Sequence, residues 1–405
     1  MKSGNTPRIP GERFLHSPGP THIPGEVLDA MHRQPMDHGD PRIELLIAAC
    51  ENGLKRVVGT EKADVYLYAA NGHGAWEAAT ENLLAPGDAM LIPSTGFFSE
   101  QWVVLAEAIK RRAIRTPYRE GYPIDPNEVE QALRADEKHE IAAVFAVHTD
   151  TASGTTSDLA AIRAAIDAAR HPALLVVDVV SSLGAAPFAM DALGANVVIG
   201  ASQKGLMCPP GVGFVAVDAR ADAVAMKNPA RGYYWDWQRR KSDRHYVKFC
   251  GSLPQNLLFG LEAAFELLFA EGLEAVYARH ALLARAVQAA VECWATEGAL
   301  SLHCRVPAAR SVSVTTIDAR QGIDVEALRN VTRERFQVSF AGALGAQRGR
   351  GFRIAHLGDV NSAMMLGCLA AVEAAMIVCG IPYGRGGVEK AIEVLAASVS
   401  TATPI

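Results

Sequence analysis

The feature of this sequence that most constrains its fold is an alternation of short apolar runs with longer segments of helical periodicity, between about residues 64 and 217. The apolar runs are nearly continuous, which suits strands that are buried on both faces of a sheet. Their alternation with helical segments predicts a parallel sheet covered by helices. The predicted strands are 65–68, 89–92, 142–147, 174–177, 197–199 and 212–217, and the predicted helices are 75–84, 98–112 and 159–170.

The pattern changes after about residue 300. Strand-like runs at 311–317 and 352–354 flank a helical segment at 325–335, and a long helix is expected from about residue 361. We therefore expect an α/β fold with an N-terminal arm over residues 1–23, a large domain over 24–300 and a smaller α/β domain over 301–405. Whether the N-terminal helices, within residues 24–58, dock on the small domain stays open at this point.

Composition and charge exclude several classes of protein. The 405 residues are 49% hydrophobic and 20% charged, which is enough for a large core, and the net charge of −5 argues against binding to nucleic acid or to an anionic membrane. One segment, 231–249, interleaves aromatic with basic residues, as surfaces for single-stranded nucleic acid do. Asp236 and Asp243 dilute its charge, so we expect an ordered loop at a subunit contact or at the rim of the active site.

Cysteine usage and hydropathy bear on the compartment. The seven cysteines are scattered without a C-x-x-C pair, which favours reduced thiols in a cytoplasmic protein over disulfides or zinc. Residues 1–10 contain no apolar segment, so no secretory signal is expected. The longest apolar run, 362–381, contains Glu373 and predicts a buried helix, not a membrane span. The histidines show no metal-ligand spacing, and no metal site is expected.

Lys204 is the first candidate for chemistry. It lies in a turn of small residues, Gly200-Ala201-Ser202-Gln203-Lys204-Gly205, directly after an apolar run. A nucleophilic amine needs a lowered pKa, and a flat phosphorylated ring needs room beside the backbone. A lysine next to a glycine is usually a solvated surface residue, so its neighbours decide the interpretation.

Those neighbours are the residues at the ends of the other predicted strands, where open α/β sheets bind ligands. Gly72-His73-Gly74 follows the first strand and opens a helix, a place that can hold a phosphate. His148 and Thr151 follow the strand 142–147 and offer an imidazole and a hydroxyl. Asp178 ends the run 174–177, and a carboxylate there needs a cationic partner, for which a pyridinium nitrogen is suited.

Four motifs extend this picture to a family. The segments 17–24 (SPGPTHIP), 177–184 (VDVVSSLG), 202–211 (SQKGLMCPPG) and 352–358 (FRIAHLG) resemble, in this order, the class V aminotransferases of the serine–glyoxylate and alanine–glyoxylate branch. The resemblance runs from about residue 14 to residue 380. It implies the fold-type I architecture of enzymes that bind pyridoxal 5′-phosphate (PLP), in which a mostly parallel, seven-stranded type of sheet lies between helices beside a smaller α/β domain.

The resemblance also implies roles for individual residues. Lys204 would carry the cofactor as a Schiff base and then move a proton between the substrate Cα and the cofactor, while Asp178 would pair with the pyridine nitrogen. The implied cofactor-binding residues are Gly72, His73, Gly74, Phe98, His148, Thr151, Asp178, Val180, Gln203, Lys204 and Ser252. The implied substrate-binding residues are Arg353 and His38. Ser252 would serve the neighbouring subunit of a homodimer, and an ion pair with Asp359 is the structural alternative for Arg353.

The expected activity is a ping-pong transamination from a small L-amino acid, such as serine or alanine, to glyoxylate or pyruvate. A class V lyase or desulfurase and a transaminase for an unusual amine donor remain alternatives, as does a non-catalytic scaffold with this fold. Two departures from the serine–glyoxylate pattern leave the donor open. The phosphate turn reads Asn71-Gly72-His73-Gly74, and Gly39 follows the Asp37-His38 pair where relatives commonly have arginine.

Overall fold

The computed structural model describes residues 9–400, so parts of the predicted arm and of the C-terminal end lie outside the described residues. The strands are β1 Phe14–His16, β2 Asp64–Ala70, β3 Ala89–Ile92, β4 Arg112–Arg115, β5 Ile141–Val147, β6 Thr149–Asp150, β7 Thr155–Thr156, β8 Leu174–Asp178, β9 Val197–Ala201, β10 Gly211–Val217, β11 Leu300–Leu302, β12 Val314–Ala319, β13 Val338–Gly342 and β14 Gly351–Ala355.

The helices lie between these strands and after them. They are α1 Gly25–Met31, α2 Arg42–Val58, α3 Gly72–Leu83, α4 Phe97–Ala108, α5 Pro126–Ala135, α6 Leu159–Ala168, α7 Met190–Leu193, α8 Ala219–Lys227, α9 Trp237–Arg240, α10 His245–Lys248, α11 Gln255–Glu271, α12 Leu273–Trp294, α13 Val325–Arg335, α14 Ser362–Val378 and α15 Gly387–Ser400. In the described part of the chain no helix combines the length and apolarity needed to cross a bilayer.

A seven-stranded sheet within residues 64–217 organises the first half of the molecule. Its strand order is β2-β10-β9-β8-β5-β3-β4, and every pair is parallel except the two that β10 makes with β2 and β9. Buried apolar side chains cover both faces, as the continuous apolar runs predict. The expected α/β fold with a mostly parallel sheet is confirmed. The register places Asp178 opposite both Val147 and Ile199, at the carboxyl end of three neighbouring strands.

A second sheet, β1-β13-β14-β12-β11, lies against its own apolar core. Strand β1 pairs in parallel with β13, so the described end of the predicted arm forms an edge strand of this sheet. Helix α12 already contributes Leu283 and Trp294 to the second core. Helices α1 and α2 pack on the first core through Val27 and Leu46. Helix α11 of the same core packs against both of them.

The predicted helix 98–112 ends early. Helix α4 stops at Ala108, Lys110 has a left-handed backbone (φ 59°), and residues Arg112–Arg115 form the edge strand β4. A non-glycine residue with positive φ cannot continue a right-handed helix. The polar edge strand that follows has no continuous apolar run, which is why the sequence pattern did not show it.

The aromatic and basic segment 231–249 covers the outer edge of the sheet beside β2. The guanidinium of Arg240 is buried and donates hydrogen bonds to the carbonyl oxygens of Tyr234, Leu67 and Lys248. The same group lies over the Tyr68 ring, 4.2 Å from its centroid. These contacts cover the edge of strand β2, which would otherwise be open to pairing with another strand. Arg240 is thus committed to the fold and unavailable to a phosphate backbone.

We expect Arg240→Lys to lower the free energy of unfolding by about 2–4 kcal/mol, because one ammonium cannot replace a fork of N–H donors to three carbonyl groups. Urea unfolding followed by circular dichroism measures the change. Arg239→Lys is the matched control, since the Arg239 side chain is 58% exposed and should change stability by less than about 0.5 kcal/mol. Equal effects of the two substitutions would contradict this role of Arg240.

Candidate active site

A cavity of about 240 Å³ opens at the carboxyl ends of β5, β8 and β9. Three elements besides the sheet form its walls: the first turn of α3, the first turn of α4 and the N-terminal segment before α1. The lining residues are Gly19, Pro20, Asn71, Gly72, His73, Trp76, Phe98, Val147, Thr149, Asp178, Val180, Ser181, Gln203, Lys204 and Pro210. Seven of the predicted site residues are therefore brought together, namely Gly72, His73, Phe98, Asp178, Val180, Gln203 and Lys204.

Lys204 follows β9 and is almost fully buried. Its Nζ donates to the carbonyl oxygen of Pro18, and the Lys204 carbonyl accepts a bond from Thr21 Oγ1 at 3.0 Å. Burial, together with the nearby positive charge of Arg353, lowers the pKa of the Lys204 amine to about 8. A sizeable fraction of this amine is consequently neutral, and nucleophilic, near physiological pH.

Gly19 lies against the Lys204 side chain. Its φ is +138°, and a Cβ at this position would lie 2.5 Å from both Cε and Nζ of Lys204. Any larger residue would have to displace either the lysine or the N-terminal segment. The segment 17–21 thereby fixes where the lysine side chain runs.

Asp178 has a donor on each carboxylate oxygen. Oδ2 accepts from Trp76 Nε1 at 2.9 Å, and Oδ1 accepts from the Val180 backbone N–H at 2.8 Å. Burial nevertheless raises the pKa of Asp178 to about 7. The carboxylate would become fully ionised if a further cation or N–H donor entered the cavity, and Asp178 can therefore select a protonated ring nitrogen.

In the first turn of α3, two backbone N–H groups are already bonded to the side chain of the helix N-cap residue, Asn71. Asn71 Oδ1 accepts from the backbone N–H groups of His73 and Gly74, at 3.1 and 3.3 Å. Two of the backbone N–H groups at this turn therefore already have an acceptor. Gly74 does not line the cavity. A Cβ on Gly74 would lie 2.7 Å from Ala70 Cβ and 2.9 Å from Trp235 Cη2, so close packing explains this glycine.

His148 and Thr151 lie beside the cavity and do not line it. His148 Nδ1 is 2.8 Å from Ser182 Oγ, and burial lowers the pKa of the imidazole to about 4, so the ring is neutral. Thr151 Oγ1 and Gln203 Oε1 are buried without a hydrogen-bond partner in the described part of the protein. Buried polar atoms are rarely left unpaired, and these two indicate room for a polar ligand.

Arg353 lies on β14 of the second sheet and reaches across to the turn after β6. Its Nε donates to the Gly342 carbonyl at 2.8 Å and its Nη1 to the Thr151 carbonyl at 3.1 Å. Within residues 9–400 no carboxylate lies within ion-pair distance of Arg353, so the alternative of an ion pair with Asp359 is not observed. Burial lowers the pKa of this guanidinium to about 10, and it remains a cation that can take a carboxylate ligand.

His38 and Ser252 lie elsewhere. Both line a separate surface groove of about 550 Å³, and the His38 ring stacks on His245 with 5.7 Å between centroids. Ser252 is exposed. In this chain neither residue contributes to the cavity of Lys204.

Among the residues that sequence reasoning missed, three support predicted members of this site. Asn71 could have been recognised as a helix N-cap. Asp150 is fully buried and accepts from the Phe98 backbone N–H at 2.8 Å, which fixes the turn that carries the Phe98 ring. Trp76 bonds Asp178 across 102 residues of chain, and no local pattern could have shown this contact.

The fold and this cavity define an α/β enzyme whose buried lysine works beside a buried carboxylate. The family model "Aminotransferase class-V" matches residues 13–343. The chain is 38% identical over 384 residues to the serine–glyoxylate aminotransferase of Methylorubrum extorquens, covering 94% of each chain. It is also 38% identical over 374 residues to the L-aspartate–glyoxylate aminotransferase of Paracoccus denitrificans, covering 91% of this chain and 92% of that one.

Among solved structures, the chain is similar to the pyridoxamine–pyruvate aminotransferase of Mesorhizobium loti, with a TM-score of 0.86 and 28% identity over 97% of this chain and 100% of that one. The protein belongs to the class V aminotransferase family. The prediction of an aminotransferase from the four motifs is confirmed.

The resemblance implies covalent attachment of pyridoxal phosphate to Lys204. We expect Gly19→Ala to weaken this attachment by about tenfold or more, because overpacking against the lysine costs roughly 1–3 kcal/mol. Absorbance titration of the purified protein measures the attachment. Gly11→Ala is the control, since Gly11 also has positive φ (+95°) but a Cβ there meets nothing within 4 Å. If the two variants attach pyridoxal phosphate equally well, the contact between Gly19 and Lys204 has no such role.

Proposed function

We propose that this protein is a PLP-dependent transaminase that moves the α-amino group of a small L-amino acid to glyoxylate or pyruvate. The observation that carries the proposal is the cavity in which the low-pKa amine of Lys204 lies near the carboxylate of Asp178, with the cation of Arg353 beside the cavity and close enough to lower the pKa of Lys204. An amine, a carboxylate for a ring nitrogen and a cation for a substrate carboxylate are the groups that this reaction needs.

The residues of the cavity fit PLP. Gln203 offers a buried polar atom without a partner, as does Thr151 beside the cavity, in the described part of the protein. Gly72 leaves room beside Val180, and Phe98 lines one wall. When bound, the cofactor would supply an electron sink for the negative charge that develops at the substrate Cα. Asp178 would hold the ring nitrogen in its protonated form, and Gly72, His73 and Gln203 would hold the phosphate.

Lys204 would have two tasks in this reaction. As a neutral amine it would anchor the cofactor. Once displaced by the substrate, it would take the proton from the substrate Cα and deliver it to the cofactor. An amine with a pKa of about 8 is suited to both, because it accepts and releases a proton near neutral pH. The Pro18 carbonyl, to which Nζ donates, would stabilise the protonated form between the two steps.

Arg353 would bind the substrate α-carboxylate. Two of its nitrogens are held by the carbonyl groups of Gly342 and Thr151, whereas Nη2 has no partner in the described part of the chain. A fixed guanidinium of this kind orients a carboxylate and so places the Cα.

The charges in the cavity favour donors with an uncharged side chain. Of the relatives above, one is named for serine and the other for aspartate. An aspartate donor needs a second cation for its side-chain carboxylate. Among the described residues that line the cavity, Lys204 is the only lysine or arginine, and it is committed to the chemistry. Serine and alanine are therefore better candidates than aspartate.

A desulfurase would need a mobile, reactive thiol. Cys208 lies nearest in sequence to Lys204, but burial raises the pKa of its thiol to about 12, which leaves it protonated. A transaminase for an unusual amine is the stronger alternative, because one similar structure is named for pyridoxamine and pyruvate.

We further propose a cytoplasmic homodimer. The separation of Ser252 and His38 from the cavity of their own chain supports a role for this groove at a subunit contact. The seven cysteines are all unpaired, which supports a reducing compartment.

The absorbance spectrum of the PLP-loaded protein tests the activity. Addition of L-serine or L-alanine should convert the band of the lysine-bound cofactor to that of the amine form, and glyoxylate should restore it, whereas L-aspartate should act at least about tenfold more slowly, since an unpaired buried carboxylate is costly. Lys204→Ala should show no lysine-bound band. A wild-type band that no amino acid converts would overturn the proposal of a transaminase for these donors.

Arg353→Lys should raise KM for both the amino and the oxo acid by about tenfold to a hundredfold, because an ammonium cannot reproduce a bidentate grip on the carboxylate. Steady-state kinetics with serine and glyoxylate measure this. Arg350→Lys is the control on the same segment, since Arg350 is exposed and outside the cavity. An unchanged KM in Arg353→Lys would return Arg353 to a structural role.

A further inference from the structure

Trp76 makes a side-chain contact with Asp178 and has no role in the reaction proposed above. It lies on α3, is only 2% exposed, and its indole N–H donates to Asp178 Oδ2 at 2.9 Å. Its ring stacks on Trp102, with 4.4 Å between centroids and 20° between planes. The His73 ring lies 4.6 Å from the Trp76 ring, at an angle of 47° to it. The indole therefore has one fixed orientation, and so has its N–H.

The bond from Trp76 stabilises the ionised form of the buried Asp178 carboxylate. Asp178 is a carboxylate at the end of a buried strand, and burial favours its neutral form. Two charged groups act on it: the negative charge of Asp150 opposes ionisation and the positive charge of Lys204 favours it. The His73 side chain lines the same cavity, and the His148 backbone N–H donates to the Asp178 backbone carbonyl. Two hydrogen bonds to the carboxylate remain, one from the Val180 backbone and one from Trp76. Of these two bonds, the one from Trp76 comes from a side chain and can be removed by replacing that side chain.

We propose that Trp76 is a positioning residue that holds the Asp178 carboxylate in one orientation and in its ionised form, ready to pair with a protonated ring nitrogen. This inference rests on the proposed function, since it concerns the carboxylate that would bind the cofactor ring. Trp76 itself would transfer no proton and form no bond to the substrate.

Trp102 provides a matched control. It stacks on Trp76, is 1% exposed, and its indole N–H has no hydrogen-bond partner among the described residues. Trp102→Phe replaces an indole of the same stack by a smaller phenyl ring without removing a bond to Asp178. Trp76→Phe makes the same replacement and also removes the bond. The difference between the variants isolates the hydrogen bond from the loss of packing.

The first readout is the equilibrium binding of PLP to the cofactor-free protein, followed by absorbance. A hydrogen bond to a buried charged group is strong enough that Trp76→Phe should weaken binding by about tenfold to a hundredfold, and Trp102→Phe by less than about threefold. Thermal unfolding of both variants shows whether each is folded. In an Asp178→Asn background, Trp76→Phe should weaken binding no more than Trp102→Phe does.

The second readout is the pH dependence of PLP binding. Without the indole N–H, a larger fraction of Asp178 is neutral at a given pH. The pH at which binding is half-maximal should therefore rise by about one unit in Trp76→Phe relative to Trp102→Phe. The titrations of Lys204 and of the phosphate are common to both variants and cancel in the difference.

Each outcome has a separate meaning. If wild-type protein does not bind PLP, the proposed function itself fails. If wild-type protein binds PLP but both phenylalanine variants behave alike in affinity and pH profile, or if Trp76→Phe has its full effect in the Asp178→Asn background, the positioning role is overturned. A Trp76→Phe effect confined to the Asp178 background, with the shifted pH profile, supports it.

Discussion

The burial of one amine is the constraint on which the rest of this site depends. Lys204 lies in a cavity in which water no longer solvates its charge, and the pKa of the amine falls to about 8. A buried ammonium is tolerable only beside acceptors, and the Pro18 carbonyl and the negative charges of Asp178 and Asp150 supply them. The positive charge of Arg353 works in the opposite direction. The balance keeps the lysine near the point at which it can act both as nucleophile and as base.

That balance requires segments far apart in sequence to meet at one place. The N-terminal segment closes over Lys204 through Gly19, strand β8 brings Asp178, and β14 of the second sheet brings Arg353. Arg353 is anchored on the Thr151 carbonyl in the turn after β6, so a polar contact ties the second sheet to that turn at the site. The fold can be understood as a way of holding these groups around a cavity that no single element could form.

The sequence predicts the sheet well, because its strands are continuous apolar runs and strand-end residues of parallel strands must converge. Asp178 and Lys204 lie together for that reason. Strand β4 was missed since its residues alternate around a partly exposed edge, and β1 pairs with β13 over a separation that local periodicity does not encode. The contact of Gly19 with Lys204 and the bond from Trp76 to Asp178 belong to the same class. They are tertiary contacts between residues whose local patterns are ordinary.

The cap on α3 has a consequence for how a phosphate would be held. Asn71 Oδ1 already accepts two of the backbone N–H groups at this helix start, and Lys204 is the only lysine or arginine among the described residues that line the cavity. A phosphate dianion needs several donors or a cation, and one chain offers it Gly72, Gln203, His73 and little else. The exposed groove with Ser252 and His38 carries polar groups that its own cavity does not use. The proposed dimer would resolve both facts at once, since a neighbouring groove would add donors where the capped helix offers too few.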